Sequence, residues 1–340
     1  MRPKDVLLGL ARMSGAFVLF RAMNRRRILV LTYHRFSATP RDGRTSAANL
    51  AKQLDYLASH YTVLPLETIE HRMREGRPLP HSTAAITIDD GYSDFYEIAW
   101  PALRRRKLPA TVFVVTDFVD RKQWIWTDKL PFLLSRMQAG ELAVDVAGLN
   151  ISGALTGESP RRQLASRING ILKDQPDPVK NRLIDQIAAQ CLVNLPDTPP
   201  DGSESCTWDQ LREMESAGIE IGSHTVTHPV LTRVTPDRLH RELEQSRRRL
   251  EDMLGHPVTS FCYPNGAYDR TVRDAVARTG YRLAVTSDDG LNDATIDPLA
   301  IRRIQNEEQN LTHFQQSTSG FEEAKNKLRC YMTISPVRMR

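Results

Sequence analysis

The chain has 340 residues, 40% hydrophobic and 26% charged, enough to bury a sizeable core and to fill the ~250 residues that an α/β barrel commonly takes. Its 46 basic and 41 acidic residues leave a net charge of +5; the basic clusters at 104–107 and 247–249 fall on expected helices of mixed character, and no nucleic-acid motif accompanies them, so no nucleic-acid partner is expected. Cys191, Cys206, Cys262 and Cys330 show no Cys-x-x-Cys spacing and imply neither a disulfide frame nor a zinc ribbon.

The stretch from Val6 to Phe20 is largely apolar but contains Arg12, is shorter than the roughly 20 residues that span a bilayer, and lacks a small-residue cleavage site. Leu7, Leu8, Leu10, Ala11, Val18 and Leu19, flanked by Arg21 and by Arg25, Arg26 and Arg27, suit an amphipathic helix at an anionic membrane surface. A helix packed on the bottom of the fold is the alternative. Residues 1–26 are set apart as this N-terminal helix, with peripheral membrane contact expected through residues 5–27.

From 27 to 34 a β-branched apolar run reads as the first strand and ends at His34. A helix at 49–59, a strand at 62–66 and a helix at 66–75 follow. The run 84–88 is a buried strand closed by the turn Asp89-Asp90-Gly91; a helix at 96–107 and a strand at 110–116 come next. Residues 117–205 interrupt the alternation as a mixed, mostly helical insertion, in which Trp124 and Trp126 either stack on sugar rings or pack in a core. The order resumes with a helix at 208–217, a strand at 219–223 that delivers His224, and a long helix at 236–254. Strands at 259–263 and 281–286 flank a helix at 270–279, and the run 299–305 closes the set. Residues 306–340 form a helical tail. Such alternation gives a parallel sheet, as a barrel or doubly wound, whose strand C-terminal ends lie on one face and whose loops there build a site.

Two strand ends carry the chemistry. Asp89 and Asp90 end one; His224-Thr225-Val226-Thr227-His228 ends another. One carboxylate and two imidazoles make three ligands for a divalent ion with a position left open, and the second carboxylate stands beside them as a base. This is the minimal set for metal-assisted hydrolysis.

The segment Thr87-Ile88-Asp89-Asp90-Gly91, the histidine pair running into Pro229-Val230-Leu231, and Phe261-Cys262-Tyr263-Pro264-Asn265-Gly266 together resemble the polysaccharide deacetylases of the NodB-homology type, carbohydrate esterase family four. The resemblance spans roughly residues 27 to 305. It implies a distorted barrel of about seven strands, Asp89 as catalytic base, and Asp90, His224 and His228 as ligands of one divalent metal ion. Zinc is the first choice, with cobalt, nickel and manganese as alternatives. It further implies that Tyr263, Pro264 and Gly266 wall the groove and lend a backbone N–H to the oxyanion.

The chain departs from the common pattern twice. Cys262 stands where many members carry an arginine that orients the base; Arg302 or Arg303, at the end of the last apolar run, could reach the site instead, or lie on the surface. The late Leu-x-His motif that supplies the family's acid is matched only by Leu311-Thr312-His313 in the tail, a coincidence of letters. His34 is the better acid, since its strand ends on the same face, and a Tyr-His pair there resembles the branch acting on poly-N-acetylglucosamine. A structural histidine at the rim is the alternative.

The expected activity is metal-dependent removal of N-acetyl groups from N-acetylhexosamine units of a polysaccharide or glycan precursor, the substrate being an acetylated glycan or a lipid-linked sugar. O-acetyl ester cleavage and a catalytically silent glycan-binding barrel are the other readings. The expected location is cytoplasmic or at the inner membrane face, with the periplasm as alternative.

Overall fold

The structure, a computed structural model, describes residues 12–326 apart from 42, 139, 147 and 307–309. Part of the expected N-terminal helix and of the tail, with Cys330, thus lies outside the described residues.

Seven parallel strands form the central sheet: β1 (Leu29–Tyr33), β2 (Thr83–Ile88), β3 (Ala110–Val114), β4 (Ile219–Ser223), β5 (Ser260–Cys262), β6 (Leu283–Val285) and β7 (Ile304–Gln305), in the order β6-β5-β4-β3-β2-β1-β7. The short strand Thr62–Val63 pairs with the start of β2. Every residue of β1, β2 and β3 is buried, as continuous apolar strands covered by helices on one side and by the barrel interior on the other must be. The last run closes the sheet: Ile301 bridges Val285 of β6, and Ile304 pairs with Leu31 of β1. The two edges therefore meet through one short segment, and the barrel is distorted at this seam.

The helices follow from apolar spacing. In Pro236–Leu254, Leu239, Leu243, Ser246 and Leu250 form the buried face, Pro236 opens the first turn, and Gly255 ends the helix in the left-handed conformation. Trp208–Ser216 starts with a capping box between Thr207 and Gln210.

The insertion has a core of its own. Helices Trp126–Arg136, Glu158–Lys173 and Asp177–Cys191 pack Leu130, Leu134, Ile168, Leu172 and Ile184 around the antiparallel hairpin Glu141–Val146 and Leu149–Ala154. It is mostly helical, as the sequence suggests, but the hairpin was not legible there. At the N-terminus, helix Ala16–Met23 packs Phe17 and Phe20 edge-on against Phe321, at 5.4 and 5.1 Å between centroids.

Candidate active site

β2 ends in a turn that the backbone can make only with unusual conformations. Asp90 and Gly91 have φ of 74° and 81°, and a Cβ on Gly91 would come within 2.7 Å of Val114 Cγ1, so this position excludes any side chain. Asp89 N–H donates to the Tyr33 carbonyl, which anchors the turn to the end of β1. β4 delivers the second segment. There Thr225 and His228 also have positive φ, 73° and 58°; a β-branched residue in that region is held by its surroundings. The holder is Glu242, buried on the helix Pro236–Leu254, whose Oε2 accepts the N–H groups of Val226 and Thr227 at 3.0 and 2.9 Å.

These two strained turns place Asp90, His224 and His228 together. Nε2 of each histidine lies 3.5 Å from Asp90 Oδ1, and the three ligand atoms are within 4.8 Å of one another, all in buried residues. His224 Nδ1 is 2.7 Å from the Cys262 carbonyl; a proton on Nδ1 donates there and leaves the Nε2 lone pair facing the cluster. Asp90 Oδ1 is buried without a hydrogen-bond partner. Burial pushes the Asp90 carboxyl up to about 7 and His224 down to about 4, with His228 also well below its usual value. Two neutral imidazoles and an orphaned carboxylate oxygen at this spacing fit a divalent cation, and the N,N,O donor set suits zinc, cobalt, nickel or manganese. Asp89, His224 and Cys262 form an overlapping group, but burial holds the Cys262 thiol protonated, so it is the poorer set.

Asp89 has the opposite environment from its neighbour. Burial acts to raise its pKa, yet the Arg303 guanidinium overcomes this and holds the carboxyl well below the usual range. Arg303, 1% exposed, grips both oxygens in a fork, Nη1 to Oδ1 at 2.7 Å and Nη2 to Oδ2 at 2.8 Å; its Nε donates to the Thr286 carbonyl at 2.7 Å. Cys262 Sγ lies 3.4 Å from Asp89 Oδ2 and 3.3 Å from Arg303, so the small side chain leaves room for an arginine from the seam strand. Arg302, in contrast, is exposed: alternation along the extended run sends its side chain to the other face, which rules it out as an orienting group.

His34 extends from the end of β1, with Nε2 3.6 Å from Asp89 Oδ2 and its side chain 32% exposed. It borders both the cluster and solvent. His313 belongs to the helix Leu311–Thr318, which packs on the helices Ala16–Met23 and Ala47–His60.

The segment 263–266 lies where the sequence puts it, but not as an N–H donor. Tyr263 N–H is spent on the Val285 carbonyl at 3.2 Å, Gly266 N–H on the Tyr263 carbonyl at 2.8 Å, and Pro264 has none to give. The sheet and a tight 3₁₀ turn consume these groups, which corrects the expectation that these three residues lend an N–H to the oxyanion. Gly266, at φ 67°, is required because a Cβ would collide with Ser287.

Trp124 and Trp126 are buried, 3% and 4% exposed, so core packing is their role. Trp126 Nε1 donates to the His228 carbonyl at 3.1 Å, and Lys180 Nζ sits 4.4 Å over its ring. Sequence reasoning missed both this tie and Glu242; for Glu242 the signal was present, an acid among the apolar positions of an amphipathic face.

A polysaccharide deacetylase family model matches residues 76–284. YxkH of Bacillus subtilis, which carries a polysaccharide deacetylase name, is 32% identical over 98 residues, covering 29% of this chain and 35% of that protein. The poly-β-1,6-N-acetyl-D-glucosamine N-deacetylase of Escherichia coli is 36% identical over 78 residues, 23% of this chain and 11% of its own length. The chain thus aligns with about a third or less of these relatives. Among solved structures, the Streptococcus pyogenes deacetylase PplD in complex with acetate superposes with a TM-score of 0.59 at 19% identity, over 86% of this chain and 98% of that one. IcaB from Ammonifex degensii gives 0.57 at 19%, over 86% and 96%. At such identity these two establish a shared fold.

Proposed function

The chain belongs to the polysaccharide deacetylase family, and from that premise we propose that it is a metal-dependent hydrolase removing N-acetyl groups from N-acetylhexosamine units of a polysaccharide or glycan precursor. One observation carries the reading: adjacent aspartates have been driven apart, Asp89 locked as an anion by Arg303 and Asp90 turned toward two neutral imidazoles. Pairs of titratable groups separated in this way mark acid and base assignments.

Asp90, His224 and His228 would hold the ion, which when bound lowers the pKa of water and polarises the acetyl carbonyl. Asp89, beside that cluster, accepts the proton of the attacking water. Its carboxylate is ionised over the whole working range, and the Arg303 fork keeps its orientation through the reaction. His34 protonates the leaving sugar nitrogen as the C–N bond breaks; partial exposure lets it recover a proton from solvent. The products are acetate and a free amine on the sugar. The N-deacetylase named among the relatives supports an amide rather than an ester substrate.

Residues 27–305 constitute the proposed catalytic domain, with 117–205 as its insertion. The N-terminal helix exposes Val18, Leu19 and Met23 near exposed Arg25 and Arg26, which supports contact with an anionic membrane surface, cytoplasmic face first and periplasmic as alternative. No helix among the described residues is long and apolar enough to cross a membrane. The test is acetate release from a panel of N- and O-acetylated oligosaccharides, with and without chelator. Release from N-acetylated members, abolished by chelator and restored by zinc, is expected; release confined to O-acetylated xylan would overturn the amide assignment.

A further inference from the structure

One residue beyond His34, a cleft of about 460 Å³ opens between Arg35, Arg41, Gly43 and Arg44, the helices Trp126–Arg136 and Glu158–Lys173, and the loop residues Pro200, Asp201 and Ser203. Six arginines line it: Arg35, Arg41, Arg44, Arg136, Arg161 and Arg162. Among the described residues, Asp128, Glu158 and Asp201 share the lining and Asp94 lies just behind it against Arg35 and Arg44, so the six guanidiniums outnumber these four carboxylates by two. A solvated surface disperses its charges; this concave one gathers a net positive charge.

Several of these guanidiniums also serve the fold. Arg35 and Arg44 share Asp94 at 2.8 and 3.3 Å and both donate to the Gly202 carbonyl, while Arg161 donates to the Leu134 carbonyl. Arg41 and Arg136 are different: both are exposed, and neither has a carboxylate partner among the described residues. Arg136 instead lies 4.8 Å over the Phe132 ring, which keeps its fork presented to the cleft wall. Burial and the neighbouring Arg35 and Arg41 lower the pKa of Arg44, as expected of a cation lacking its share of counter-charge. The cleft is also joined to the catalytic turn. Arg35 stacks 3.7 Å over Tyr92, and Tyr92 OH donates to Asp128 in the cleft wall.

We infer that this cleft binds a phosphate group carried by the glycan substrate, beyond the sugar whose acetamide is hydrolysed. Guanidinium forks arriving from separate segments suit a tetrahedral dianion, which offers oxygens in several directions; one carboxylate would be satisfied by one fork. The volume holds a phosphate together with part of its sugar. The inference rests on the deacetylase reading only for what carries the phosphate; the anion site stands on its own charges.

The test is isothermal titration of the full chain with N-acetylglucosamine 1-phosphate, inorganic phosphate and N-acetylglucosamine, alongside acetate release from a neutral acetylated oligomer. Tighter binding of the sugar phosphate than of the neutral sugar, by about tenfold or more and weakening with added salt, is expected. The double variant Arg41→Gln, Arg136→Gln should lose about tenfold in sugar-phosphate affinity while releasing acetate from the neutral oligomer at the parent rate. Equal affinity for the phosphorylated and neutral sugars, or an unaltered sugar-phosphate affinity in the double variant, overturns the anion site. Binding of inorganic phosphate as tight as that of the sugar phosphate overturns the assignment of the group to a glycan. Intact sugar-phosphate binding with no acetate release from any substrate leaves the cleft and removes the deacetylase reading instead.

Discussion

The barrel and the insertion each bury a core of their own, yet they enter the site by different routes. The barrel supplies the proposed reacting groups: His34, Asp89, Asp90 and His224 stand just beyond strand ends, and Arg303, which orients Asp89, stands just before β7. The insertion supplies none of them. It touches the cluster through the hydrogen bond from Trp126 to the His228 carbonyl, and grips the neighbouring helix through Asp177 and Arg238 at 2.8 Å. The proposed chemistry therefore belongs to the sheet, while the insertion braces one loop and contributes a wall of the arginine cleft.

This division can be broken most directly at the barrel. His228→Ala should lose bound metal and acetate release together, whereas Asp89→Asn should keep the metal and lose about a thousandfold in release, within the usual range for removing a positioned base. Metal content by atomic emission beside an acetate assay separates the two, and a fully active Asp89→Asn would remove the base assignment. Next in size is Arg303→Ala, which leaves Asp89 buried and unpaired. Stability should fall by about 3–5 kcal/mol in denaturant unfolding, with activity lost far beyond what unfolding explains. Gly91→Ala should cost stability through its positive φ and the close approach of Val114, and move Asp90 enough to weaken metal binding. The smallest effect tests the insertion: Trp126→Phe keeps the apolar filling and deletes one hydrogen bond, for a loss of about 1 kcal/mol and a few-fold in activity. A loss as large as that of Asp89→Asn would show that the insertion takes part in the chemistry.

Much of the fold was legible because its signals are local. Apolar runs such as Ile28 to Leu31 and the β-branched Ile86 to Ile88, and the four- and seven-residue spacing of Leu239, Leu243 and Leu250, state their own structure. The hairpin at 141–154 was missed although exposed Glu141, Ala143 and Asp145 alternate with buried Leu142 and Val144, because its partner strand carries Asn150, Ser152 and Gly153, which weaken the strand signal. Within the site, residue types named the cluster, but partner choice depends on tertiary distance. Nothing in the letters distinguishes Arg302 from Arg303; the alternating direction of an extended chain at the seam does, sending one guanidinium to solvent and its neighbour onto Asp89. The N–H groups of Tyr263 and Gly266 were misjudged for the same reason, since their acceptors are set by how β5 meets β6 and how the turn folds back.

The single-bridge seam at Ile301 has an outcome for failure as well as for assembly. The guanidinium that holds Asp89, the proposed base, as an anion rides on the short segment that closes the sheet, while the three cluster residues depend on strands deep within it. If the proposed chemistry holds, fraying of that edge leaves a protein able to load its ion and unable to turn over, so occupancy outlasts catalysis on gentle heating.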